Sequence, residues 1–338
     1  MQLHKTKASV FMSSFIRSRI FISFILLSAV AWPVAQQAKA QGAQGTQGFQ
    51  GQRGPQIRQG PWNETPKGDF WVEPLKEEPA GTHYKLFATP SRGPKTEASY
   101  LIYFPPGYEQ AATRRYPVLY WLHEGNGNQL NGAPMVARID KEILAGKIPP
   151  FIVVLVQGLP SVRYINAKDG KRPVEDVIVK DLIPHIDATY RTVASREGRA
   201  IEGMSMGGYG ALRLGFKYPE LFGTVSALAP SVTEMKDEPP VVTEPYGDDQ
   251  AYYDTVDPRT LVKQNAAAIR GRTNIRLLVG GEDGLARPLK AYSDLLDSLK
   301  IDHQFVIAPG AHHMWGEIFN RLPFDALQFW KTAFAKAQ

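Results

Sequence analysis

Residues 203–207 read Gly-Met-Ser-Met-Gly, a serine held between glycines in the G-x-S-x-G spacing of a sharp strand-to-helix turn. Such a turn leaves the serine in a backbone conformation that L side chains avoid, and its flanks must be small because neighbouring elements press on them. Gly203 and Gly207 meet that demand. Residues 198–202 before them look extended, and 208–216 after them carry small and apolar residues at helical spacing. Ser205 is therefore a candidate nucleophile at a helix N-terminus, where free N–H groups and the helix dipole favour developing negative charge.

A serine hydroxyl attacks a carbonyl well only when a histidine takes its proton, and that histidine works only when a carboxylate fixes its tautomer. In one common chain order both follow the serine, acid first. Residues 275–280 form an apolar run ending in Gly281-Glu282-Asp283-Gly284, and 303–309 form another ending in Gly310-Ala311-His312-His313-Met314-Trp315. Asp283 is the expected acid in preference to Glu282, its shorter side chain suiting a position just past a strand end. His313 is the expected base, with His312 as the alternative.

The developing oxyanion needs donors. The backbone N–H of Met206, next after the nucleophile, is one candidate. The loop His123-Glu124-Gly125-Asn126-Gly127-Asn128, after the apolar run 117–122, supplies the other. Gly125 is the expected second donor, with Glu124 or Asn126 one register away. Asn126, Tyr164, Asn166, Tyr209 and Trp315 lie on or beside these loops and are the candidate substrate contacts. The tyrosines of Tyr246–Tyr253 fall in a proline-rich insertion, 230–262, and either overhang the site or simply pack a long loop onto the body.

These loops need a frame. Strand-like runs at 98–104, 117–122, 151–156, 199–203, 223–228, 275–280 and 303–308 alternate with helix-like runs near 136–145, 174–189, 207–217, 286–299 and 324–336. That alternation predicts βαβ units and a mostly parallel sheet with its chemistry at the strands' carboxyl ends. Residues 69–338 suffice for one such domain. Within 176–187, Val177, Ile178, Leu182, Ile183 and Ile186 form an apolar stripe that reads as core, and His185 reads as structural.

Several further segments join this pattern: Tyr116-Pro-Val-Leu-Tyr-Trp-Leu-His123, Asp181-Leu-Ile-Pro-His-Ile-Asp187 with Tyr190-Arg191, Gly203–Ala211, and Tyr218-Pro-Glu-Leu-Phe222. Together with the Asp283 and His313 loops they make the chain, from about Glu97 to Trp330, resemble the putative-esterase family. That family includes feruloyl and acetylxylan esterases, S-formylglutathione hydrolases and mycolyltransferases. The resemblance implies an α/β-hydrolase fold, a central mostly parallel sheet with helices on both faces, and hydrolysis or transfer of carboxylic esters, including acylated carbohydrates. Glu124 departs from it, since the family usually has glycine after this histidine. A mycolyltransferase-like acyltransferase and a non-catalytic carbohydrate-binding protein on a hydrolase scaffold are the alternatives.

Residues 1–40 have a basic start, an apolar stretch from Ile20 to Ala35 and Ala38-Lys39-Ala40 at a small-residue cleavage site, the layout of a secretory signal peptide. A secreted or periplasmic protein is expected, without a stable membrane span after cleavage; an uncleaved anchor is the rival reading. Five of the basic residues lie in 1–40 and no acidic one does, so the +6 of the whole chain falls to about +1 without the leader. Nothing in that balance calls for nucleic acid. The chain has no cysteine, which excludes disulfides and thiol catalysis. Its scattered histidines and missing H-E-x-x-H give no metal motif, and no cofactor fingerprint appears, so neither metal nor cofactor is expected. Residues 41–68 read as a Gly/Gln-rich flexible linker, with glycine at every third position from Gly42 to Gly54 and an Asn63-Glu-Thr sequon close behind.

Overall fold

The computed structural model describes residues 70–322 and 325–337. The expected leader, the linker and the sequon lie outside them. Eight strands build one sheet: β1 (His83–Ala88), β2 (Glu97–Tyr103), β3 (Val118–Leu122), β4 (Ile152–Val156), β5 (Arg199–Met204), β6 (Thr224–Leu228), β7 (Asn274–Gly280) and β8 (Gln304–Ala308). Their order is β1-β2-β4-β3-β5-β6-β7-β8. Strand β2 is antiparallel to both its neighbours, and every pairing from β4 to β8 is parallel.

The sequence explains why this sheet is covered on both faces. Val118–Leu122 and Ile152–Val156 are unbroken apolar runs, and all their residues are buried. A strand with one wet face would alternate instead. The helices between and after the strands are α1 (Ala133–Leu144), α2 (Val174–Asp176), α3 (Ile183–Thr189), α4 (Met206–Lys217), α5 (Pro240–Thr243), α6 (Gln250–Val256), α7 (Pro258–Gln264), α8 (Ala266–Ile269), α9 (Ala286–Ser298), α10 (Trp315–Arg321) and α11 (Phe329–Ala333). A π-helical stretch, Val177–Leu182, joins α2 to α3. The stripe Val177, Ile178, Leu182, Ile183 and Ile186 is buried there as expected. His185 also proves structural: its Nε2 lies 3.0 Å from the Tyr100 hydroxyl and its ring stacks on Phe87. Burial lowers its pKa.

Two buried carboxylates tie elements together. Glu202, Ser226 and Arg276 stand side by side in register across β5, β6 and β7. Glu202 Oε2 accepts from Ser226 Oγ at 2.6 Å and Arg276 Nη2 at 2.8 Å, while the guanidinium also faces the rings of Phe329 and Trp330. Burial pushes the Glu202 carboxyl up and the Arg276 guanidinium down, each opposing the other's shift. Glu175, in α2, accepts from Arg213, Lys217 and Tyr218. Burial works against its ionisation, but these donors outweigh it and hold the carboxyl down to about 2.

Three elements differ from the sequence expectation. Strand β1 was not anticipated, because His83–Ala88 is an edge strand with little buried surface and no apolar alternation. The insertion folds into α5, α6, the start of α7 and short 3₁₀ turns and is not an irregular loop. The expected helix over 324–336 is shorter, since Asp325 caps a 3₁₀ turn before α11 begins.

Candidate active site

Chain order reverses around β3 and β5: β4 lies on the far side of β3, and β6 on the far side of β5. The carboxyl ends on either side of such a switch point open a crevice. Ser205 follows β5 there, at φ 56° and ψ −114°, and α4 starts at the next residue. Such a non-glycine conformation costs on the order of 1–3 kcal/mol and persists only where the surroundings impose it. Here they do. A Cβ at Gly203 would collide with the backbone of Gly207, and one at Gly207 with the carbonyls of Leu122 and His123. Ser205 N–H donates to Leu228 O at 2.8 Å, fixing the turn to β6. Although Ser205 stands at the N-cap position, its side chain makes no cap hydrogen bond, so α4 does not consume the hydroxyl.

The acid and histidine loops are laced together by their backbones. Gly281 N–H donates to Ala308 O at 2.8 Å and Glu282 N–H to Ala311 O at 2.9 Å. Gly280 is required there, because a Cβ would strike the Ala311 carbonyl. The lacing brings His313 Nδ1 within 2.6 Å of Asp283 Oδ2. Asp283 Oδ1 accepts from Leu285 N–H, which leaves one oxygen aimed at the imidazole. The Asp283 side chain is 3% exposed and the His313 side chain 32%. His312 points elsewhere: 65% exposed, its Nδ1 lies 3.0 Å from Glu317. Glu282 is exposed. No hydrogen bond joins Ser205 Oγ to His313 Nε2.

On the other side of the elbow, β3 runs into the loop 123–128. His123 is fully buried, and burial lowers its pKa, so it is neutral near pH 7. With its proton on Nδ1 it donates to Glu124 O at 2.8 Å, while Nε2 accepts from Gly158 N–H at 3.1 Å. Glu124 O also accepts from Gly127 N–H at 3.1 Å. In a trans peptide the next N–H points opposite to that carbonyl, so the Gly125 N–H faces away from His123. Met206 is the first residue of α4, where N–H groups have no partner within the helix.

Two of the expected substrate contacts, Tyr164 and Tyr209, are corrected by burial, while Asn166 is half-buried. Tyr164 is 1% exposed and donates to His123 O at 2.9 Å, and Gly158 and Gly210 make room for its ring. Tyr209 is wholly buried, with the Arg163 guanidinium 3.9 Å from its ring centre and Tyr246 at its hydroxyl. Asn166 Oδ1 accepts from Asp176 N–H, fixing the chain before the helix. Asn126, at φ 56°, and Trp315, stacked on Phe319, stay half-exposed at the rim. Tyr246 and Tyr253 are core residues. Sequence reasoning gave no role to His123 or Arg163. A lone histidine at a strand end was the available signal for the first, and nothing in the sequence marks the second. Among the described residues no group of three or more ligating side chains could hold a metal ion, and no helix is long and apolar enough to cross a membrane.

Sheet order, strained serine turn and an acid–histidine pair on the loops after β7 and β8 define the α/β-hydrolase fold. Residues 91–313 match the family model described as "Putative esterase", and the chain belongs to that family. It is 36% identical over 132 residues to an endo-1,4-beta-xylanase/feruloyl esterase of Xylanibacter ruminicola, covering 36% of this chain and 18% of that protein. An esterase of Mycobacterium tuberculosis is 36% identical over 129 residues, covering 37% of this chain and 27% of that one. The match thus spans about a quarter or less of these relatives' own lengths. Among solved structures, a ferulic acid esterase superposes with TM-score 0.64 at 19% identity, covering 75% of this chain and 99% of its own. S-formylglutathione hydrolase from Staphylococcus aureus superposes with TM-score 0.57 at 16% identity, covering 76% and 97%. At such identities the likeness speaks for the fold.

Proposed function

We propose that this protein is a serine carboxylic-ester hydrolase of exported location, acting on acylated carbohydrates such as feruloylated sugars. The observation that carries the reading is the 2.6 Å contact between His313 Nδ1 and Asp283 Oδ2, which leaves Nε2 free on the carboxyl-end side of the sheet that also presents Ser205. In the acylation step Ser205 Oγ bonds to the carbonyl carbon and its proton passes to His313 Nε2. The N–H groups of Met206 and Gly125 receive the oxyanion. Collapse breaks the ester C–O bond, and the departing alcohol takes the proton from Nε2. Water then repeats the sequence and frees Ser205. Asp283 orients the imidazole and stabilises the imidazolium.

The carbohydrate preference is supported by the names of relatives, feruloyl esterase and ferulic acid esterase. Export is supported by the leader-like residues 1–40. The test compares feruloylated arabinose, acetylated xylan, p-nitrophenyl acetate and S-formylglutathione as substrates for the wild type and Ser205→Ala. Turnover of the feruloyl or acetyl sugar esters, lost by about a thousandfold or more in the variant, supports the reading. Equal rates in the two proteins overturn the serine mechanism, and a preference for the glutathione thioester overturns the substrate class. Recovery of the protein only in the cytoplasmic fraction of its native cell overturns export.

A further inference from the structure

We propose that Glu124 and Asn131 form a side-chain clasp that positions the oxyanion loop, making Glu124 a positioning residue. This rests on the assignment of Gly125 N–H as a donor. The Glu124 side chain is spoken for: Asn131 Nδ2 donates to Glu124 Oε1 at 2.7 Å. The same Asn131 amide accepts from Asn128 N–H through Oδ1 at 3.0 Å. Asn128 in turn accepts from Leu130 N–H at 2.9 Å. One amide therefore holds the loop at its beginning and its middle.

The loop is shaped around that amide. An added Cβ on Gly127 would lie 3.1 Å from Asn131 Cγ and Nδ2 and 3.0 Å from Glu124 O, so glycine there lets the Asn131 side chain reach back across the loop. Asn126 takes φ 56°, a left-handed value that asparagine tolerates better than most residues. His123 anchors the Glu124 carbonyl from inside, whereas the clasp anchors the Glu124 side chain from outside. Gripped at both ends, the residue cannot rotate the peptide plane that carries the Gly125 N–H. A donor held in advance is what stabilises an oxyanion without reorganisation.

The test measures p-nitrophenyl acetate hydrolysis and backbone hydrogen exchange in Glu124→Ala, Asn131→Ala, the double variant and Glu124→Gln, whose amide oxygen still accepts from Asn131. The clasp predicts that each alanine variant loses about tenfold in kcat with KM changed less than twofold, a fraction of the ~10²–10³ that a whole donor supplies. The double variant should lose no more than either single one, since coupled residues are non-additive. Glu124→Gln should keep at least half the wild-type rate, and exchange over 124–131 should quicken in the alanine variants alone. Multiplicative losses in the double variant, a Gln variant as slow as Ala, or exchange unchanged by Glu124→Ala would each overturn the clasp. A wild type with no Ser205-dependent hydrolysis sinks the catalytic reading instead, and the exchange experiment still decides whether the clasp exists.

Discussion

Strand β7 carries one member of each of two acidic pairs, Arg276 within the sheet and Asp283 just past its end, and the two pairs are built to opposite purposes. The Glu202–Arg276 pair is about 1% exposed on both sides, boxed in by Ser226, Phe329 and Trp330. Asp283 is as deeply placed, but its partner His313 keeps a third of its surface and an unclaimed nitrogen. Both partners of the first pair are given over to bonding inside the protein. In the second only the carboxylate is enclosed, and the imidazole stands partly open to solvent. Burying both partners makes a pair structural; burying one makes a pivot.

The largest effect should come from breaking the half-open pair. Asp283→Asn should lose about 10³–10⁴ in kcat through the wrong imidazole tautomer, and His313→Ala should lose as much. Steady-state assays on p-nitrophenyl acetate check this, and a loss under tenfold in Asp283→Asn would move the acid role to Glu282. Breaking the closed pair should act on stability. Arg276→Met leaves Glu202 buried with no cation beside it and should cost about 3–5 kcal/mol in urea unfolding, whereas Glu202→Leu with Arg276→Met should recover most of it. A double variant as unstable as the single one would show that packing, and not the stranded charge, sets the cost.

A third carboxylate sharpens the contrast through pH. Glu175 is held at about 2 against an ordinary 4.5. A depressed carboxyl contributes stability above its unfolded value and loses it as pH falls to the folded one, here between about 4.5 and 2, an amount on the order of 3 kcal/mol. Unfolding free energies measured down that range should fall in the wild type and flatten in Glu175→Gln. The smallest effect belongs to His312→Ala, where a residue paired with Glu317 at the surface should change kcat less than about threefold. A large loss there would exchange the two histidines' roles.

Strands β3, β4, β6 and β7 were legible because buried parallel strands are written largely as apolar runs, and the serine turn was legible because it admits so few residue types. The choice of Asp283 over Glu282 followed the same logic of reach, and the structure places Asp283 against His313. Tyr164 and Tyr209 were misread because both lie on segments next to the site, and chain position says nothing of which way a side chain turns. Tyr164, at φ 58°, swings inward under the loop it was expected to line. β1 escaped notice because an edge strand is stabilised by its partner's backbone more than by its own side chains. The clasp could not be read at all, since a glutamate and an asparagine seven positions apart on a loop carry no periodic signal.

β8 is an edge strand, paired only to β7, and Ile307 on it is 45% exposed. The imidazole therefore hangs from the rim of the sheet, whereas the hydroxyl is anchored in the middle, between β3 and β6. Fraying starts at rims. On warming, the two reacting groups should part company while the centre still holds, so that catalysis fails some degrees before the protein melts.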